Sequence, residues 1–291
     1  MSVEIAENGP PPAPPDGSLR VGVDDRLATP VQSRRARRRL PSGPGRLLGP
    51  VVLVLLWFVA TSAGWVDPRT LASPGAVLDA AQRLLETGQL QDNLLVSLQR
   101  AMTGLAIGVS VGVVLALVSG LTRVGEFLLD ANLQMLRSMP ILALVPLAIV
   151  WFGIGEEVKI LLVSLAVMFP IYLNTHAAVR GVDSRFVDLA ATVGLGRLAL
   201  VRRVILPGAL PGFFTGLRFS VAIAWLVLVV SEQINASSGI GYLMTQARNI
   251  GQTDVIMVGL VVYALLGLTS DTLVRLLERK ALTWQSTLQS R

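Results

Sequence analysis

The chain has 291 residues, 52% of them hydrophobic and only 15% charged, with a mean hydropathy of +0.62; a soluble domain of this length could not cover its surface with so few charges. With no cysteine and one histidine, disulfide frameworks, thiolate metal centres, iron–sulfur clusters and cysteine nucleophiles are excluded, and an imidazole zinc site lacks ligands. The 27 glycines suit helices that pack closely in lipid, and the formal charge of +6 raises nucleic acid as a partner only until the basic residues are located.

Residues 1–46 hold Pro10, Pro11, Pro12, Pro14 and Pro15, then Arg34, Arg35, Arg37, Arg38 and Arg39, with no apolar periodicity. Such a composition predicts a disordered cytoplasmic tail. The arginine run could be a nucleic-acid patch or a topology anchor; the uncharged apolar segment that follows at once favours the anchor and leaves nucleic acid without a role. That segment, 47–66, is long enough to cross a hydrocarbon core of about 30 Å. Its distance from Met1 and the apolar stretches after it make it an uncleaved first span rather than a signal peptide.

Residues 67–93 read as an extracytoplasmic loop carrying an amphipathic helix from Pro74 to Thr87, with Val77, Leu78, Ala81, Leu84 and Leu85 on one face. Further spans are predicted at about 94–119, 124–151, 158–178, 208–232 and 253–276, followed by a cytoplasmic tail over 277–291. The expectation is therefore an all-α membrane protein with six transmembrane helices. With the N-terminus inside, 18 of the 25 Lys and Arg residues fall on the cytoplasmic side and only Arg69, Arg83, Lys159 and Arg248 on the other, which places both termini in the cytoplasm.

The cytoplasmic stretch 179–207 is the most informative. Phe186, Leu189, Ala190 and Val193 repeat at helical spacing, Gly194 and Gly196 permit a turn with positive φ, and Leu198, Val201 and Ile205 resume an apolar face beside Arg197, Arg202 and Arg203. Two short helices joined by a glycine elbow are predicted, with Pro207 stopping the second. The small Ala190 and Ala191 suit insertion into a groove on another protein; a helix lying on the lipid surface is the plainer alternative.

In register, Asp188, Ala190, Ala191, Gly194, Val204, Leu206 and Pro207 resemble the cytoplasmic loop of binding-protein-dependent ABC importer permeases, whose pattern is Glu-Ala-Ala, three residues, Gly, nine residues, Ile, one residue, Leu-Pro. Asp188 replaces the Glu, Leu189 the first Ala and Val204 the Ile. The likeness extends over roughly 60–285 and is nearest the nitrate/sulfonate/taurine branch, through Leu136-Arg137-Ser138-Met139-Pro140, Trp151 to Glu156, Gly216-Leu217-Arg218, Ser231-Glu232 and Ala236 to Tyr242.

The resemblance implies a type I ABC importer permease fold, with a transmembrane type-1 domain over 90–276 that contains a 184–207 coupling loop. It further implies a second permease copy as a homodimer, an ATPase subunit dimer docked at that loop, and an extracytoplasmic solute-binding protein. Asp188, Ala190, Ala191, Gly194, Leu206 and Pro207 would form the contact with the ATPase. The residues support this division of labour independently. A phosphate-cradling loop needs Gly-Lys-Ser or Gly-Lys-Thr, but Lys159 follows Val158 and Lys280 follows Arg279. The chain is thus not expected to be an enzyme or to bind a cofactor, and ATP belongs to the partner.

Two other classes compete. An ion-gradient-driven transporter or channel would draw attention to ionisable groups within spans, here Asp130, Arg137 and Arg218, while Arg100 and Glu232 lie near span ends where snorkelling is available. A membrane enzyme lacks a nucleophile with its base or paired acids at a common depth. Arg137 and Arg218 are expected to face the protein interior or a water path, either lending positive potential to an anion pathway or bonding Asp130 or a carbonyl. Pro140, Pro146 and Pro170 are expected to kink the third and fourth spans, and His176 to have a satisfied structural role.

Overall fold

The computed structural model describes residues 45–285, so all but the last two residues of the tail predicted over 1–46, and residues 286–291, lie outside the described residues. The chain divides into two units, Met1–Pro50 and Val51–Arg291, and the architecture below is that of the second. In chain order the helices are α1 Gly45–Ser62, α2 Pro74–Glu86, α3 Gln89–Leu121, α4 Arg123–Ser138, α5 Val145–Phe152, α6 Glu156–Arg180, α7 Ser184–Thr192, α8 Arg197–Leu200, α9 Leu206–Asn235, α10 Ile240–Asn249 and α11 Thr253–Ala281.

Helix α6 is the axis of the fold. Glu156 and Glu157 occupy its first turn and Arg180 its last, each charge complementing the helix dipole. Leu162, Val163, Val167 and Ile171 are completely buried, because α3 packs along one side of α6 and α9 along the other. The α3 contact depends on bare backbone. A Cβ on Gly112 would lie 2.8 Å from Met168 O and 2.9 Å from Ile171 Cβ, and one on Gly108 would lie 2.7 Å from Val167 Cβ, so any side chain there would force the helices apart. These pairings advance together in residue number, so α3 and α6 run parallel. Ser220 Oγ donates to Val167 O at 2.9 Å, and a Cβ on Gly216 would meet Pro170 O at 2.8 Å, so α9 runs antiparallel to α6.

Among the described residues, four helical segments are long and apolar enough to cross a membrane: Gln89–Leu121, Glu156–Arg180, Arg197–Asn235 and Thr253–Ala281. The predicted third span is not a continuous helix. Arg123–Ser138 and Ile141–Phe152 meet at 85°, because Met139 is held extended (ψ 132°) ahead of Pro140, which has no N–H to continue the ladder. The apolar part of α1 is shorter than the six-helix expectation required, running from Leu48 to Ser62.

The amphipathic helix α2 begins on Ser73, whose hydroxyl accepts from Ala76 N, with Pro74 in the first turn. Its buried stripe is Val77, Ala80 and Leu84 against Val255 and Val258 of α11; Leu78 and Leu85, predicted on that face, are exposed because each lies one residue, about 100°, around the helix from a stripe position. Helix α11 continues to Ala281, so the stretch from 277 begins helically.

Candidate functional site

Three features stand out: an elbow at the arginine-rich end, two arginines within spans, and a buried ionic cluster at the opposite end. The elbow lies between α6 and α9. Asp183 starts α7 by accepting from Arg185 N at 2.9 Å, and α7 closes where Leu195 N returns to Ala190 O at 2.9 Å, with Gly194 at φ +74°. Gly194 thus takes the left-handed turn predicted for it; Gly196 does not, and lies at φ −66° as the residue before α8.

Pro207 does not end the second helix, contrary to expectation. The chain runs helically from Arg197 to Asn235, and Val201–Ile205 form a π turn in which Leu206 N bonds back five residues to Val201 O. The widened turn accommodates a proline whose ring would otherwise crowd the carbonyl one turn earlier. Of the loop residues, Ala190 is buried, Asp188, Ala191, Gly194 and Leu206 are exposed, and Pro207 is half-buried. Phe186, Leu189 and Val193 present 58%, 60% and 71% of their surface, an apolar stripe uncovered by the described residues.

Arg137 and Arg218 are not equivalent. Arg137, in the last turn of α4 beside the bent junction, is exposed and has no ion-pair or hydrogen-bond partner among the described residues. Arg218 is half-buried against α11, with Nε 3.4 Å from Asp271 Oδ1 and Nη1 4.0 Å from Glu278 Oε2. Asp130, the partner considered for either arginine, instead accepts from Tyr172 OH at 3.3 Å and from Gln134 Nε2 at 3.0 Å. His176 stacks on Tyr172 with ring centroids 5.5 Å apart, yet its buried Nε2 has no hydrogen-bond partner among the described residues, so the satisfied role expected of it is not what the structure has.

The cluster escaped sequence reasoning. Arg100 and Glu232 do not snorkel; they are 2% and 1% exposed. Arg100 Nη1 donates to Glu232 Oε1 at 2.8 Å and to Ser238 O at 2.7 Å, while Nη2 donates to Glu156 Oε1 at 2.7 Å and Nε to Glu156 Oε2. Glu232 also accepts from Ser97 Oγ at 2.8 Å, Gly241 N at 2.9 Å and Tyr263 OH at 3.0 Å. Lys159 Nζ adds a contact of 3.2 Å to Glu156. Two cations face two carboxylates, so the group is neutral and joins α3, α6, α9, α10 and α11 at one end. The available signal was the pairing of Arg100 with an acid at the far end of a later span, which spacing alone cannot reveal.

Residues 108–283 match the family described as the binding-protein-dependent transport system inner membrane component. The chain belongs to this family. Among its relatives is the putative aliphatic sulfonates transport permease protein SsuC of Escherichia coli (strain K12), 48% identical over 81% of this chain and 89% of the relative. The SsuC protein of Bacillus subtilis (strain 168) is 38% identical over 89% and 94%, and the taurine transport system permease protein TauC of E. coli is 32% identical over 89% and 97%. The crystal structure of an amino acid ABC transporter with histidines has the same fold, with a TM-score of 0.58, 17% identity, and coverage of 69% of this chain and 97% of that one.

The chain is therefore an ABC-type permease subunit, a multi-pass inner-membrane protein with the type I importer fold, and a transport subunit rather than an enzyme. Membership of this family also sets aside the gradient-driven alternative.

Proposed function

We propose that this permease translocates a small organosulfonate or taurine-like anion. It works as a homodimer above a dimer of separate ATPase subunits and below a soluble solute-binding protein, with ATP bound by the ATPase. The observation that carries the reading is the elbow. Its apolar stripe of Phe186, Leu189 and Val193 has no cover among the described residues and stands on a helix tied through Gly194 to an unbroken helical run into α9. An ATPase groove closing on α7 would thus move α9 directly, and α9 carries the contacts to α6 and α11.

Within this reading Asp188, Ala190, Ala191, Gly194, Leu206 and Pro207 form the coupling element. The small Ala190 and Ala191 allow close approach, Gly194 sets the elbow, and Leu206 and Pro207 begin the span. The sulfonate class is favoured over nitrate by the 48% identity to a relative named for aliphatic sulfonates. Arg137 supplies positive potential to the anion pathway. It is a charge with no partner among the described residues, at a break in a span, and broken helices within a membrane are tolerated where they line protein or water rather than lipid. Arg218 contributes less, since Asp271 and Glu278 offset its charge.

The test is co-purification of the full chain with its ATPase in detergent, comparing wild type with Leu189→Asp and Gly194→Val. Nothing lies within 4 Å of a Cβ built on Gly194, so valine there perturbs only the positive-φ turn. Loss of association and of substrate-stimulated ATP hydrolysis in both variants, with unchanged thermal stability of the isolated chain, is the expected result. Association as strong as wild type in Leu189→Asp would remove the elbow from the coupling path.

A further inference from the structure

A trough of about 500 Å³ opens between α3 and α9 near the arginine-rich end. Val109, Val113 and Leu117 form one wall, Leu206, Leu210 and Phe213 the other, and Thr175 of α6 lies in its lining. Thr175 is 4% exposed and its Oγ1 has no hydrogen-bond partner among the described residues. Several hydroxyls on spanning helices bond back one turn, as Thr103 does to Gln99 O at 2.8 Å, Ser110 to Ala106 O at 2.7 Å and Ser164 to Ile160 O at 2.7 Å, and Ser97 and Ser220 bond to neighbouring helices. Thr175 does neither, and beside the trough its buried hydroxyl is a donor with no partner among the described residues, a state that costs about 1–3 kcal/mol.

Depth tells what would meet it. Thr175 precedes Arg180, the end of α6, by five residues, or roughly 7 Å of rise, which is the level of the acyl esters when Arg180 is at the headgroups. Beyond it, at the same end, Arg202 lies one turn before Leu206 of the trough wall, and Arg123 opens α4 just past the end of α3. Both arginines are exposed and without an ion-pair partner among the described residues. An apolar trough, a hydroxyl at ester depth and unpaired cations at phosphate depth follow one another in the order of the parts of a phospholipid.

We propose that this trough is a binding site for one anionic glycerophospholipid of the arginine-rich leaflet. One acyl chain lies between α3 and α9, an ester carbonyl accepts from Thr175 Oγ1, and the phosphate is held at Arg202 and Arg123. The site is distinct from the elbow contact on α7, but it touches Leu206 and Leu210, the first turns of α9. Its occupant therefore packs against the part of the span that leads out of the π turn.

The full chain is reconstituted in phosphatidylcholine vesicles containing a trace of phosphatidylglycerol, or of phosphatidylcholine, bearing a diazirine on one acyl chain. After irradiation, labelled residues are located by mass spectrometry. Phosphatidylglycerol is expected to label Val113, Leu210 and Phe213 about fivefold more than phosphatidylcholine does, the factor one arginine contributes at an anionic surface.

Ser110→Trp, placed on the exposed rim, is expected to abolish label in the trough while label on Leu265, exposed on α11, stays unchanged and shows that the fold is intact. Arg202→Gln combined with Arg123→Gln should bring the two lipids together, and Thr175→Val should lower trough label from both. Equal labelling by the two lipids in wild type would overturn the proposal, as would trough label that survives Ser110→Trp. Because the chain has no cysteine of its own, a disulfide between Ser110→Cys copies in the vesicle would put a second copy over the trough and equally overturn it.

Discussion

Arg100 and Glu232 are 132 residues apart in the chain and 2.8 Å apart in the fold, with side chains 3% and 0% exposed. A buried pair of this kind is strongly destabilising to break from one side, because the surviving charge has no water to return to. Arg100→Met is expected to lower stability by about 3–5 kcal/mol, and Glu232→Gln by somewhat less, since the amide retains part of the hydrogen bonding. The double variant Arg100→Met, Glu232→Gln should cost well below the sum of the two single changes. Thermal unfolding of the four proteins in one detergent measures the coupling, and simple additivity would show that the pair does not act as a unit. By contrast Arg83→Ala, which loses an exposed 2.9 Å pair with Asp254, should change stability by at most about 1 kcal/mol.

Gly108 and Gly112 set the distance between α3 and α6. Gly112→Val is expected to destabilise by about 1–3 kcal/mol or more, as overpacking does, because the nearest obstruction, Met168 O, is backbone and cannot swing aside. Gly267→Val on α11, where no atom lies within 4 Å of the added Cβ, is the matched control and should change stability far less. The same unfolding measurement compares them, and equal losses would mean that the close approach does not determine the packing.

Arg137→Ala should leave assembly and stability near wild type, since the side chain is exposed and unpaired among the described residues. It should nevertheless reduce uptake of a sulfonate by about tenfold, with Arg137→Lys retaining most of the rate because charge alone is required. Arg218→Ala should behave in the opposite way, with a stability loss from stranding Asp271 and Glu278 and a smaller loss of transport per folded molecule. Uptake into vesicles, normalised to folded permease, separates the two. A wild-type rate for Arg137→Ala would remove this residue from the pathway.

Tyr172 is 1% exposed and its hydroxyl is within 3.1 Å of Ser119 Oγ and 3.3 Å of Asp130 Oδ1. Tyr172→Phe should cost about 1 kcal/mol, the net value of one such bond, and should loosen α4 from α6. Hydrogen exchange of the amides in α4 reports this directly. An unchanged exchange rate would mean that Asp130 does not tether the helix.

What could be read along the chain was whatever depends on neighbours in sequence. Gly194 announced its turn because only a residue without Cβ takes φ +74° at no cost, and the amphipathic period from Pro74 marked α2 within a residue of its observed ends. Pro140 signalled a kink, but the 85° break also needed Met139 to be extended, a joint property of two residues that hydropathy averages away. The Arg100 cluster was invisible for a different reason. Its charged members come from three separate helices, α3, α6 and α9, and Arg100 also reaches the loop at Ser238, so each looked like an isolated charge near a span end. Glycines were counted as a sign of lipid, while their spacing at 104, 108 and 112, which faces one neighbour, became meaningful only beside Val163, Val167 and Ile171.

The π turn at Val201–Ile205 holds one residue more than an α turn would, and each residue of an α-helix advances the face by about 100°. The segment that leads from the elbow therefore enters the span with its azimuth already set. A single deletion within those five positions would let an ordinary helix form and turn α7 and α8 by that angle relative to α9. Every residue now facing outward would point elsewhere, although no contact in the bundle had been removed. The turn is a gear tooth, and it fixes the direction in which a push from below arrives.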